Sequence, residues 1–281
     1  MILLARFFKF LFRFQFFKKR YFGIYQRVFR PWGFFKNTET ITIYDQTLKI
    51  KLSLCDWIQQ QIYFFGYYDE RGINCIKNQL KPGDTFIDIG GNIGAYSLIA
   101  AKLVGIDGQV IAFEPVTHVR NRLMENASLN QLEQIKVEPL AVFNKNTELT
   151  LHISNQDNLG MSSIHAFKES FGLTETVQAV RFDDYVAKNN ITQIDLIKMD
   201  IEGAELFALE GMKSTLTNLK PVVLIEICSN ILEGTNLRVD EIYTFFEELN
   251  YSPFCVGEDG GIHEFNSERK LNYTNFIFMA L

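Results

Sequence analysis

One stretch constrains this chain more than any other: Phe86-Ile87-Asp88-Ile89-Gly90-Gly91-Asn92-Ile93-Gly94. An apolar strand runs to Ile89, a glycine-rich turn follows, and a helical pattern starts at Ala95. Glycines let a backbone turn sharply and let a ligand approach it closely. The free N–H groups at the start of the following helix favour the negative end of a ligand. The spacing departs from the dinucleotide pattern G-x-G-x-x-G, because Asn92 stands where the second glycine belongs. A pyrophosphate needs that close approach, and the acid Asp88 at the strand end repels phosphate. The turn therefore disfavours NAD and suits a ligand carrying an ammonium group, such as the methionine moiety of S-adenosylmethionine.

Around the turn, strand-like runs alternate with helical ones. The strands are expected at Thr85–Ile89, Val110–Glu114, Ile135–Val137, Leu196–Asp200, Val222–Ile227 and Phe276–Ala280. The helices are expected at Ala95–Leu103, Thr117–Leu129, Ala204–Leu216 and Asp240–Leu249. That alternation predicts an α/β fold with a doubly wound, mostly parallel sheet. Residues 144–186 interrupt it with short strands of their own (Leu149–Ile153 and Val177–Val180), an insertion placed to cover the edge of a cleft. Gly160-Met161-Ser162-Ser163 in this insertion is either a wall of that cleft or a plain turn.

Three acidic strand ends accompany the glycine turn. Glu114 closes Val110-Ile111-Ala112-Phe113 and stands 26 residues after Asp88, where an acid accepts both hydroxyls of a ribose; the alternative is a solvent-exposed strand end. The run Leu196-Ile197-Lys198-Met199-Asp200-Ile201-Glu202-Gly203-Ala204-Glu205 delivers several carboxylates at a strand's carboxyl end, where open α/β sheets bind ligands. Crowded carboxylates raise one another's pKa and supply a base. Asp200 or Glu202 serving only to cap the next helix is the competing reading. Glu226 ends Val222–Ile225 in the same manner, as a further base or as a charge paired to a lysine. Asp200, Glu202 and Glu226 are the candidate bases, in that order.

"FIDIGGNIGAYSL", "AFEP" and "IKMDIEGAELFALEG", in this order and spacing, resemble the FkbM-type family of S-adenosylmethionine-dependent methyltransferases, and "DWIQQQIYFFGYYDE" is similar to the segment before its core. The likeness runs from Asp56 to Ile227. It implies a Rossmann-like sheet of seven strands, the last antiparallel, as in class I methyltransferases. It also implies O-methylation of a sugar, glycolipid or other small-molecule hydroxyl. Asp88, Gly90, Gly91, Asn92 and Gly94 then form the cofactor loop, Glu114 takes the ribose, and Asp200 and Glu202 sit at the methyl-transfer edge. Many members carry an imidazole two residues after the acid at Glu226, where this chain has Cys228.

Charge divides the chain. Residues 1–36 hold nine Lys or Arg, no acid and 14 of the 39 aromatics, which leaves 19 bases against 33 acids, a balance of −14, for the remainder. Read as one helix, this arm gathers Arg6, Lys9, Arg13 and Arg20 on one stripe with phenylalanines elsewhere, an amphipathic pattern suited to an anionic membrane surface. Packing of the arm on the catalytic core is the alternative. The expected organisation is an arm (1–36), a hairpin with helices (37–80) and a methyltransferase domain (81–281). Four scattered cysteines without a C-x-x-C pair favour a reducing compartment, and the expected place is cytoplasmic, peripheral on the inner face of a membrane. His118, His152, His165 and His263 show no ligand spacing, so no metal is assigned. Two other functions compete: a membrane-associated interaction protein with a vestigial cofactor fold, and a nucleic-acid methyltransferase. A phenylalanine-rich arm and the lack of an N-P-P-[FY] motif make nucleic acid the weaker partner.

Overall fold

A computed structural model describes residues 1–154, 162–165, 173–227, 239–265 and 275–281. The arm holds α1 (Ile2–Leu11), α2 (Gln15–Lys18), α3 (Tyr21–Ile24) and a π turn, Tyr25–Phe29. A hairpin follows, β1 (Glu39–Tyr44) and β2 (Leu48–Ser53), then α4 (Trp57–Phe65) and α5 (Glu70–Gln79). Its three-residue loop, Asp45-Gln46-Thr47, has Asp45 and Gln46 at positive φ and closes the Tyr44–Leu48 pair. The core continues through β3 (Thr85–Ile89), α6 (Ala95–Val104), β4 (Gln109–Phe113), α7 (Thr117–Leu129) and β5 (Ile135–Glu138). Next come β6 (Leu140–Phe143), β7 (Thr147–Ile153), β8 (Ser162–Ser163), β9 (Leu173–Arg181), α8 (Phe182–Lys188) and β10 (Leu196–Met199). The chain ends with α9 (Glu205–Glu210), α10 (Lys213–Leu219), β11 (Val222–Glu226), α11 (Val239–Glu248), β12 (Tyr251–Val256), β13 (Ile262–Glu264) and β14 (Asn275–Ala280).

The main sheet has the order β13-β12-β14-β11-β10-β3-β4-β5. Strands β5, β4, β3, β10 and β11 run parallel, and β14 is antiparallel to both β11 and β12. Sequence order reverses at β3 and β10, so a switch point opens between them, and there the carboxyl ends of parallel strands make a crevice. Side chains alternate across the sheet with the two-residue period of a strand. Phe86, Val110 and Leu196 join one buried cluster with α4 to α7, while Ile87, Ile111 and Ile197 join the other with α8 to α11. Strands β7, β8 and β9 of the insertion join β6, which immediately precedes it, in a second sheet of order β6-β9-β7-β8.

Seven strands were expected in the main sheet, and among the described residues it has eight. The added β13 pairs antiparallel with β12 from Phe254 onward, which leaves Pro253 paired only to β14, on the one strand edge where a missing N–H costs no ladder bond. The helix expected over Ala204–Leu216 is two helices. Asp183 of α8 accepts from Ser214 N, Thr215 N and Thr215 Oγ1 at 2.7–3.1 Å and so caps a fresh start at α10.

The arm is not one amphipathic helix. A straight helix of some 30 residues would span roughly 45 Å. Here the chain folds back, so that Phe12 meets Phe29 at 6.4 Å and Phe29 meets Phe35 at 5.1 Å, with Phe12, Phe29 and Phe35 all against Phe64 of α4. Burial of Ala5, Phe12, Tyr21, Tyr25, Phe29 and Phe35 in the cluster that also holds Ile62 and Tyr63 joins the arm to the core. The stripe that a single helix would draw through Arg20 is therefore broken at Phe12–Phe14, where the chain turns.

Candidate active site

The glycine turn lies at the switch point. Gly90 N and Gly91 N both donate to Phe113 O at 3.0 Å, which ties the turn to the end of β4. Gly90 has φ +84°, and a Cβ there would fall 2.0 Å from the Asp200 carbonyl oxygen, so the turn packs directly on the end of β10. Asn92, at φ +48°, accepts a hydrogen bond from its neighbour Ile93 N through Oδ1, which steadies a left-handed conformation that asparagine tolerates better than most residues. Gly94 precedes the first turn of α6.

Glu114 is buried at the end of β4. Its Oε2 accepts from Asn92 N at 3.0 Å and its Oε1 from Val116 N at 2.9 Å. Each oxygen keeps a further lone pair for a ligand hydroxyl. Burial pushes this carboxyl up to about 7, against the opposing pull of the two backbone donors. Asp88, in contrast, is fully buried and lines neither cleft described below. Its Oδ2 accepts from Ser97 Oγ at 2.5 Å, and its Oδ1, without a hydrogen bond, lies 3.9 Å from the Lys198 ammonium. The cation that Asp88 faces in this structure is thus the protein's own.

Lys198 is the hub of the acidic edge. Its Nζ sits 3.5 Å from Asp200 Oδ2 and 3.5 Å from Gly90 O, and 4.9 Å above the Tyr96 ring. Burial lowers the lysine's pKa, but Asp200, Asp88, Glu226 and Asp69 outweigh it and hold the ammonium above its ordinary range. Tyr96 donates to Asp69, which Asn275 also holds at 3.0 Å. Burial, then repulsion from Asp200 and neighbouring acids, pushes Glu226 up to about 9; burial, Asp200 and Glu205 push Glu202 up to about 8. Two protons are thus retained near neutral pH, and Asp200 is left beside the ammonium.

The turn after β10 is capped by Glu205 and not by Asp200 or Glu202. Glu205 Oε1 accepts from Ile201 N at 3.2 Å and Gly203 N at 3.1 Å. Glu202 takes φ +53° in this turn, and its carbonyl accepts from Ser163 Oγ at 2.8 Å. Two clefts meet here. One, about 690 Å³, runs from Gly90, Asn92 and Glu114 past Phe143 to Leu149, Leu151, Ser162 and Ser163 of the inserted sheet. The other, about 620 Å³, is walled by Ile58, Tyr68, Tyr96, Lys198 and Glu226. Both share Gly90, Asn92, Asp200 and Glu202.

Asp200, Glu202 and Glu226 thus come together, with Gly90, Asn92 and Glu114 adjoining them; Gly91 lines the second cleft, and Gly94 and Asp88 support the loop from behind. Ser162 and Ser163 do line a cleft, whereas Gly160, Met161 and Cys228 lie outside the described residues. Sequence reasoning missed Tyr68, Tyr96 and Asp69. The signal for Tyr96 was at hand: Tyr96 and Ser97 are buried polar residues on α6, whose other buried positions are all apolar.

An acidic trough with a single buried ammonium fits a cationic nucleoside and opposes a phosphorylated one. The sheet order, the antiparallel seventh strand and the glycine turn at the switch point define the class I methyltransferase fold. The chain belongs to the Methyltransferase FkbM domain family, whose domain matches residues 88–253, and S-adenosylmethionine is its cofactor. It is 26% identical to "Methyltransferase 1" of Beauveria bassiana over 53% of this chain and 67% of that one. It is 28% identical to the "2-O-methyltransferase NoeI" of Sinorhizobium fredii over 50% and 62%. Identity to the "Hexuronic acid methyltransferase AglP" of Haloferax volcanii is 24%, over 57% and 62%. The matches therefore span about two thirds or less of each of these relatives.

Proposed function

We propose that the protein transfers a methyl group to a hydroxyl oxygen of a sugar, glycolipid or other small molecule, with Asp200 taking the proton that the hydroxyl loses. S-adenosylmethionine supplies an electrophilic methyl on a sulfonium, so the protein's work is alignment and proton removal. The observation that carries this reading is the meeting of Asp200, Glu202 and Glu226 on the wall shared with Gly90 and Asn92. Lys198, 3.5 Å from Asp200, holds that carboxylate in place. Glu202 and Glu226, pushed up to about 8 and about 9, keep their protons at neutral pH and serve as hydrogen-bond donors to oxygens of the acceptor. Glu114 offers its free lone pairs to the ribose hydroxyls, while the glycine turn allows close approach. Relatives named for 2-O- and hexuronic acid methylation support an acceptor of the carbohydrate class.

Incubation of the protein with methyl-labelled S-adenosylmethionine and a lipid plus sugar extract tests this reading. A product heavier by one oxygen-borne methyl is expected. Asp200→Asn should retain the fold and still bind cofactor while losing on the order of 100-fold or more in turnover. Normal turnover by Asp200→Asn alongside an inactive Glu226→Gln would move the base to Glu226. Failure to bind the cofactor at all would favour a vestigial fold.

A further inference from the structure

The arm has two opposite apolar faces, and the core covers only one. At about 100° per residue, Ala5, Phe8 and Phe12 fall within roughly 60° of one another. Ala5 and Phe12 are buried, and Phe8 packs against the same cluster. Leu3, Phe7 and Phe10 fall within roughly 60° on the other side, and they stand in solvent, Leu3 at 76% exposure. The ring of Phe10 meets that of exposed Phe14 at 5.7 Å, and Phe22 and Trp32, at 62% and 78% exposure, are further exposed rings of the arm. Seven of the nine basic residues of the arm are exposed as well, with Arg6 and Arg13 beside the Leu3–Phe10 stripe.

We propose that this exposed aromatic and basic face docks on an anionic lipid bilayer. Contiguous exposed apolar surface of this kind marks an interaction site, and the accompanying charge selects among occupants. A second copy related by a twofold axis would set the same seven cations against themselves. Nucleic acid would meet the cations but leave the rings in water. A bilayer with anionic headgroups satisfies both, with rings at the acyl boundary and arginines among the headgroups. The face is already ordered by the buried stripe behind it, so docking carries little ordering cost. The remainder of the chain, with a balance of −14, is repelled by the same surface, which sets the arm inward. The arm also adjoins the second cleft: Trp57 of α4 stacks on Tyr21 at 5.1 Å and touches Tyr25 at 4.4 Å, and the next residue, Ile58, lines that cleft.

Flotation of the full chain with phosphatidylcholine vesicles, with and without phosphatidylglycerol, tests the proposal without involving methyl transfer. The parent protein should float with the anionic vesicles and bind at least tenfold more weakly to neutral ones or in about 0.5 M salt. Arg6→Gln with Arg13→Gln should weaken binding roughly 25-fold, about fivefold for each cation. Phe7→Ser, Phe10→Ser and Phe14→Ser together should weaken it at least tenfold while the melting temperature holds, since these rings are exposed. The proposal is overturned if the parent stays at the bottom with anionic vesicles, or if the triple serine variant floats as well as the parent. A parent dimer in sedimentation that this variant abolishes, without vesicle binding, would assign the face to a second copy instead.

Discussion

Alanine at Gly90 separates two costs that the structure makes distinct. Gly90 has φ +84°, and the Cβ of an alanine would land 2.0 Å from the Asp200 carbonyl oxygen, far inside a carbon contact distance of roughly 3.5 Å. Neither partner yields readily: Asp200 N is itself bonded to Ile89 O at 3.0 Å, so the end of β10 and the turn must part by more than an ångström. Gly66 supplies the control. Its φ is +86°, and a Cβ there meets nothing within 4 Å. Gly66→Ala should therefore cost only the left-handed conformation, about 1–2 kcal/mol. Gly90→Ala should cost that plus about 1–3 kcal/mol of overpacking, which adds a further fall of roughly 2–12 °C in melting temperature for a chain of this size. Thermal denaturation measures both variants, and calorimetry with S-adenosylmethionine should show weakened binding for Gly90→Ala alone. Equal melting temperatures and equal affinities for the two variants would refute the packing of the turn on β10.

Glu114→Ala removes charge-assisted acceptors for two hydroxyls and the anchors of Asn92 N and Val116 N, so cofactor affinity should fall on the order of 100-fold; unchanged calorimetry would remove Glu114 from the binding site. Stability of the cofactor-free protein should fall with rising pH, because Glu114 and Glu205 are pushed up to about 7, Glu202 to about 8 and Glu226 to about 9. The folded state holds these protons more tightly than the unfolded one, so their stabilisation is complete below the ordinary carboxyl range and is lost as pH rises through about 7 to 9. Melting temperatures from pH 5 to 10 check it: Glu226→Gln should flatten the upper end, and a flat parent profile would contradict the burial. A chain beginning at Asn37 loses Phe12, Tyr21, Tyr25, Phe29 and Phe35 from the core. At about 1.5–3 kcal/mol each this loss approaches the whole stability of a domain. It should aggregate in size exclusion, and a monomer with the parent's melting temperature would show the arm to be dispensable.

The core strands were legible because buried parallel strands are written as uninterrupted apolar runs. The ends of β3 and α7 fall where Thr85–Ile89 and Thr117–Leu129 were drawn. What escaped depends on partners far along the chain. β12 was hidden by Pro253, whose tolerance follows from the late start of its pairing with β13. The break between α9 and α10 comes from Asp183, some 30 residues upstream. The fold-back of the arm reflects the pull of Phe64, since a helical period alone cannot tell a rod from a coil of short helices. In the site, the acids at strand ends were legible from their position. The network of Asp69, Tyr96 and Asn275 was not, because its members lie up to 206 residues apart. Nor does a strand pattern show that Asp88 lies 3.9 Å from a buried lysine, Lys198.

The acidic trough has a consequence for turnover. Asp88 and Asp200 face one lysine, Lys198, with Glu202 and Glu226 on the same cleft wall, so a cation entering there meets more acid than base. On the proposed reaction the donor enters with a charged sulfonium and leaves as a neutral thioether, while its amino group is unchanged. The walls therefore grip the reactant electrostatically and release their hold as the methyl departs. On the proposed reaction such a pocket would favour exchange of spent cofactor for fresh, and high salt should blunt that preference.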